Sequence, residues 1–175
     1  MKKAQHNQAL DSQSDLNITP NESHNLVLEP ALAYYPRMTV ILPNATKKPE
    51  SQMTAFEKMG VIRLGVSKRD LEHLKDTTEL DYEQLAKALS VTKATLIKKK
   101  GSDRFGAAIS EKIVSLADIY SYGYQVFEDE ERFNEWVFRP NKALGNQLPY
   151  DLLDNVYGRE EVRNVIGRID YGVFS

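Results

Sequence analysis

The chain has 175 residues, a formal charge of −2 and no cysteine. The lack of cysteine excludes disulfides, thiolate zinc sites and cysteine nucleophiles. No apolar run approaches the roughly 20 residues of a membrane helix, so we expect a cytoplasmic protein with no membrane partner. The charge is unevenly spread, because residues 63–104 carry a net +3 and residues 105–175 a net −5. A basic middle and an acidic end predict two surfaces with different partners.

Residues 1–53 are predicted to be an N-terminal tail, partly disordered. The first 25 residues are rich in Asn, Gln, Ser and Asp, so they offer little apolar surface to bury. Two apolar patches follow in residues 26–43, and the prolines between them exclude a long helix. We predict short extended segments there, packed on the body or on a second subunit. Residues 47–51 are predicted to be a linker.

Helical signals begin at Thr54. Together with Glu57, three residues later, Thr54 forms the pattern of a capping box. Gly60 and Gly65 are predicted to interrupt this helix. Ser67 is predicted to cap the next one.

Residues 85–97 have the spacing of a helix-turn-helix. Asp81 is predicted to begin the first helix and Thr92 the second, with a small residue, Ala86, where the two cross. Ser90 stands in the turn, where this motif usually has a glycine because the turn favours a positive φ.

The second helix and the residues after it combine hydroxyl and basic side chains. Such groups contact base edges and phosphates, and neutralised phosphates release counterions, so binding would be salt-sensitive. The alternative is an ordinary helical hairpin with a solvated lysine face. The predicted DNA-binding residues are Thr92, Lys93, Thr95, Lys98, Lys99, Lys100 and Arg104.

Four further helices are predicted. Ser110 is expected to cap a long one with a broad apolar stripe, and a short one contains residues 131–137. Pro149 suits the first turn of the third, which is expected to stop at Gly158. The last spans residues 159–170. No strand is predicted after residue 43, so the fold class should be all-α.

The C-terminal segments Phe133–Gly145, Leu148–Asp154, Tyr157–Val162 and Arg168–Val173 resemble, in this order, those of the Xre/MbcA/ParS-like antitoxins. The resemblance covers roughly residues 63–175. It implies a helix-turn-helix DNA-binding domain at residues 54–109 and a small helical toxin-binding domain at residues 110–175. Lysines stand where family members often have arginines late in the recognition helix, which weakens the expectation of bidentate guanine reading.

The resemblance also implies a function. Family members are antitoxins of type II toxin–antitoxin pairs, typically with a RES-domain toxin that consumes NAD. The chain end lies at the toxin's active-site cleft, and the helix-turn-helix represses the protein's own operon. We expect a homodimer, because one helix-turn-helix reads only a half-site, and a higher toxin–antitoxin complex.

The predicted toxin-binding residues are Arg163, Arg168, Tyr171, Gly172, Val173, Phe174 and Ser175. The last five form an apolar tip that suits a plug for a cleft. In the alternative, the aromatic residues of the tip fold back onto the protein's own core, and the two arginines belong to surface ion pairs.

The residues offer little for catalysis. The histidines at 6, 24 and 73 are scattered without metal-ligand spacing, and the acids at 128–131 suit a helix start. We predict no enzyme, no cofactor, no metal and no catalytic residue. The second hypothesis is a helix-turn-helix regulator without a toxin, and a small hydrolase has no support.

Overall fold

The structure, a computed structural model, describes residues 38–172. The predictions for residues 1–37 and for Val173, Phe174 and Ser175 lie outside the described residues. Seven α-helices occupy the described part, and short 3-10 turns lie at Glu50–Gln52, Lys142–Leu144 and Pro149–Leu152. The helices are α1 (Ala55–Leu64), α2 (Lys68–Thr78), α3 (Tyr82–Ala88), α4 (Lys93–Ile97), α5 (Ala107–Phe127), α6 (Glu130–Val137) and α7 (Val156–Asp170).

The prediction of an all-α fold is confirmed for residues 38–172. The only β pairings there are two isolated bridges, with no strand. Within the same residues, none of the helices is both long and apolar enough to cross a membrane.

The predicted N-caps of the first four helices are confirmed. The Thr54 side chain accepts a hydrogen bond from the Glu57 amide in a complete capping box. The side chains of Ser67, Asp81 and Thr92 likewise accept a hydrogen bond from an amide in the first turn of α2, α3 and α4, and Asp81 also forms a capping box. Each cap satisfies an amide that the helix itself leaves without an acceptor, which is why the sequence signal is dependable.

Three predictions about helix ends are wrong. Gly60 lies inside α1, which ends only at Gly65. The cap of α5 is Gly106; Ser110 is fully buried, accepts from the Val66 amide (2.9 Å) and donates to the Phe105 carbonyl (3.1 Å). Gly158 lies in the first turn of α7 and does not end a helix.

The longest helix, α5, forms the centre of the core. The predicted apolar stripe from Ile113 to Tyr120 is buried, and α5 packs against α1, α2, α6, α7 and the turn at Glu50–Gln52. Aromatic side chains extend this core toward α6 through near-perpendicular contacts of Tyr120 and Tyr124 with Phe133. Helices before and after α5 therefore share one hydrophobic core.

The segment before α1 is packed rather than a linker. Ile41 and Leu42 are buried, and the buried Glu50 carboxylate accepts hydrogen bonds from both of their amides. The Ser51 and Ser121 hydroxyls lie 3.0 Å apart. The expected packing on the body therefore holds for Ile41 and Leu42, although neither lies in a strand.

Candidate functional surfaces

Helices α3 and α4 form the predicted helix-turn-helix. Its inner face is closed by Leu85, Leu89 and Leu96, all fully buried. Ser90, in the turn between the helices, has a φ of 48°. This is the left-handed region that favours glycine, so serine is strained where the motif usually has glycine.

The structure leaves the predicted DNA-binding side chains at least partly accessible to solvent. Thr95 and Lys99 are half-buried, and the remaining five are exposed: Thr92, Lys93, Lys98, Lys100 and Arg104. The structure therefore places all seven at the surface of the motif or at its edge.

Several of these side chains already bind partners within the chain. The Thr92 and Thr95 hydroxyls lie 2.8 Å apart, while Thr92 also caps α4. The Lys93 ammonium donates to the Glu83 carboxylate at 2.7 Å, and this hydrogen bond raises the pKa of Lys93. The Arg104 guanidinium donates to the Gly65 carbonyl. The contacts of Thr92, Thr95 and Lys93 leave fewer free polar groups on the outer face of α4.

The lysines after α4 differ in this respect. Within residues 38–172, Lys98, Lys99 and Lys100 form no salt bridge. Their charges are therefore available to an external anion such as a phosphate backbone.

The end of α7 presents an aromatic side chain to solvent. Tyr171 is 83% exposed, and Gly172 follows with a φ of 68°. Tyr171 therefore does not fold back onto the core, and that alternative is wrong for this residue.

A surface groove of about 460 Å³ lies beside Tyr171. Arg163 is anchored in its wall, because its guanidinium binds the Asp118 carboxylate at 2.9 Å and lies 4.9 Å from the centre of the Tyr122 ring. Arg168 is exposed and forms no salt bridge within residues 38–172. An ion pair therefore explains Arg163, whereas Arg168 offers its charge to the groove.

Asp118 connects this groove with the first helix. Its carboxylate lies 2.7 Å from the Lys58 ammonium of α1 and 2.9 Å from Arg163 of α7. Because the Asp118 side chain is only 16% exposed, these two cations compensate for its removal from water.

Two family descriptions match consecutive parts of the chain. Residues 59–118 match the antitoxin Xre-like helix-turn-helix domain, and residues 123–172 match the antitoxin Xre/MbcA/ParS C-terminal toxin-binding domain. The chain belongs to the Xre/MbcA/ParS antitoxin family.

Individual relatives carry antitoxin names as well. The chain is 32% identical over 76 residues to an antitoxin Xre of Photorhabdus laumondii, an alignment that covers 43% of this chain and 51% of the relative. It is 27% identical over 129 residues to the Prs ADP-ribosylating antitoxin of a Sphingobium species, an alignment that covers 68% of this chain and 81% of the relative. It is 27% identical over 116 residues to an antitoxin Xre of Yersinia enterocolitica, an alignment that covers 65% of this chain and 78% of the relative.

In this antitoxin, an arginine that the sequence analysis missed joins the two matched parts. Arg159, at the start of α7, is only 8% exposed. It donates to the Leu153 carbonyl at 2.7 Å and to the Ala88 carbonyl, at the end of α3, at 2.8 Å. Its position in the apolar register of Val162 and Ile166 is the signal that could have revealed it.

The turn of the helix-turn-helix receives a second contact from the same region. The Ser90 hydroxyl donates to the Asp154 carbonyl. The toxin-binding part of the antitoxin therefore supports the residues that orient α4.

Proposed function

We propose that this antitoxin neutralises a cognate NAD-consuming RES-type toxin by covering its active-site cleft, and represses its own operon by binding promoter DNA. It acts by binding rather than catalysis, in the cytoplasm where the promoter lies. The observation that supports this most strongly is the exposed Tyr171 beside Arg168, which forms no salt bridge among residues 38–172, inside the match to the toxin-binding domain.

The proposal that the toxin consumes NAD is supported by the name of one relative as well as by the family. The name of the Sphingobium relative refers to ADP-ribosylation, a transfer that uses NAD as its donor. A cleft that holds NAD must accommodate a bulky dinucleotide, so a short aromatic segment with a charged neighbour can obstruct it. In the proposed complex, Tyr171 and residues 172–175 enter the cleft while Arg168 pairs with an acidic group at its edge.

Co-expression with the product of the adjacent gene tests the toxin-binding half. Deletion of residues 171–175 should abolish protection of the host and weaken co-purification, while the helical circular dichroism spectrum remains unchanged. Full protection by the truncated chain would contradict the proposal.

A single substitution offers a matched control. Tyr171→Ala should weaken toxin binding, whereas Tyr157→Ala should not, since Tyr157 is similarly exposed (78%) but lies at the other end of α7. Equal effects of the two substitutions would show that Tyr171 is not a specific contact for the toxin. Failure to find any toxin partner would favour the second hypothesis, a regulator without a toxin.

The DNA-binding half rests on the lysines after α4 and on the helix-turn-helix match. We propose that the protein binds as a homodimer, and as a larger complex with toxin, because two half-sites need two motifs. Lys98→Glu should weaken promoter binding and reduce the dependence of affinity on salt, because one phosphate contact is lost.

The control for this substitution is Lys142→Glu, which makes the same charge change at an exposed position outside the motif. The promoter affinity of this control should stay within about twofold of that of the unsubstituted protein. Both variants should still bind the toxin. Promoter affinity that responds equally to both substitutions would reflect net charge alone and would contradict the assigned surface.

A further inference from the structure

The outer face of α4 is apolar at its centre. Ala94 is exposed, and Ile97 is 47% exposed although Leu96, beside it, is fully buried. Residues three and four apart lie on one face of a helix, so Ile97 stands next to both Lys93 and Ala94. A basic rim thus surrounds a small apolar strip.

Three polar side chains near this strip already have partners. Thr92 and Thr95 bind each other, and Lys93 binds Glu83. The centre of α4 therefore presents few free donors or acceptors to base edges. What it does present is two apolar side chains, and Lys98 with Lys100 provide positive charge beside them.

We infer that Ala94 and Ile97 determine operator specificity by contacting the C5-methyl groups of thymines in the major groove. This inference rests on the proposed DNA-binding function. The thymine methyl is the apolar feature that the major groove displays, and apolar side chains are the groups that recognise it. The lysines contact the flanking phosphates and position α4, whereas the apolar strip selects A·T pairs at the centre of each half-site.

Uracil offers a direct test, because it pairs like thymine and lacks only the methyl group. Duplexes that bind the 175-residue chain are first selected from a random-sequence pool. The selected duplex is then synthesised with uracil in place of thymine, one position at a time. Each substitution that removes a contacted methyl should weaken binding by about fourfold, the value expected for one buried methyl-sized group.

Ile97→Ala should bind the thymine duplex more weakly and should no longer distinguish it from the uracil duplex at the same position. Because Ile97 is half-exposed, the variant should fold, as its circular dichroism spectrum will show. Leu64→Ala is the control, since Leu64 is an exposed apolar residue (73%) on α1. It should retain the full discrimination.

The inference would be overturned if Ile97→Ala still distinguished thymine from uracil as well as the unsubstituted antitoxin does. It would also be overturned if the unsubstituted antitoxin did not distinguish the two bases. Binding without an enriched sequence would also overturn it while leaving a non-specific DNA-binding function intact. If no duplex is bound at all, the proposed DNA-binding function fails as well. A changed oligomeric mass in Ile97→Ala with unchanged discrimination would assign the strip to contacts between copies of the chain, which overturns the inference.

Discussion

Gly60 and Gly158 both lie inside helices, but their surroundings differ. A Cβ atom built on Gly158 would lie 2.0 Å from the Leu152 carbonyl oxygen, because the turn at Pro149–Leu152 packs directly on the first turn of α7. A Cβ atom on Gly60 would meet nothing within 4 Å. Glycine is therefore required at 158 and only tolerated at 60.

Alanine substitutions should have opposite effects at these two positions. Gly60→Ala should raise the free energy of unfolding by about 0.5–1 kcal/mol, because alanine loses less backbone entropy in a helix. Gly158→Ala should lower it by about 1–3 kcal/mol through a backbone clash. Urea unfolding measures both, and a neutral Gly158→Ala would contradict the described packing.

Glu50 is a buried acid that holds the segment before α1. Burial raises its pKa above the ordinary value of 4.5, and the three backbone amides that bind its carboxylate only partly oppose this rise. Because the folded state binds this proton more tightly than the unfolded chain, its contribution to stability is present below pH 4.5 and is lost as the pH rises through the raised pKa.

This linkage predicts a pH-dependent difference between the unsubstituted protein and Glu50→Gln. From about pH 4 to pH 8, the free energy of unfolding of the former should fall relative to that of the variant, which has no proton to lose at this position. Urea titrations at several pH values provide the comparison. Parallel pH profiles would show that the pKa of Glu50 is not raised.

At the level of elements, α7 connects the two surfaces on which the proposed functions depend. Its first turn carries Arg159, which binds the end of α3, and its last turn leads to the exposed Tyr171. Because the two ends belong to one rigid helix, the toxin-binding part also positions the DNA-binding motif.

Two arginines of this helix should respond differently to truncation. Arg159→Ala should lower the free energy of unfolding by about 2 kcal/mol, because it removes two charge-assisted hydrogen bonds and leaves the Ala88 and Leu153 carbonyls without this donor. Arg168→Ala, at an exposed position, should change it by less than about 0.5 kcal/mol. Equal losses in urea unfolding would show that Arg159 does not support the turn.

At the level of the whole molecule, α5 connects the two family matches. It packs against helices on both sides in the chain, and the predicted domain boundary between residues 109 and 110 falls in its first turn. A core shared in this way couples the stability of the two parts. The domain boundary between residues 109 and 110 stays a prediction.

We therefore expect one cooperative unfolding transition. Fluorescence of Trp136, the single tryptophan, reports on the C-terminal part, and far-ultraviolet circular dichroism reports on all helices. The two transitions should coincide in urea, because neither part keeps its core without α5. Separate midpoints, or independent folding of fragment 54–109, which lacks nearly all of α5, would contradict this expectation.

The local signals in the sequence predicted much of the fold and part of the candidate site. Caps such as Thr54 and Asp81 were recognised because a cap depends on residues three positions apart. The helix-turn-helix was recognised from its spacing. Ser110, Gly158 and Arg159 were misread or missed, because their partners lie elsewhere in the fold or in the preceding turn.

The sequence by itself determined the all-α class, the helix-turn-helix and the order of the C-terminal segments, since each depends on short-range periodicity or on a motif. Only the tertiary structure decided that Lys93 is paired, that Tyr171 is exposed and that Ala94 and Ile97 form the outer face of α4. It also decided that, among the described residues, a single ion pair, Lys87 with Asp151, joins residues 63–104 to residues 105–175. The physical reason is that burial and ion pairing depend on distances in space, which residue spacing along the chain does not determine.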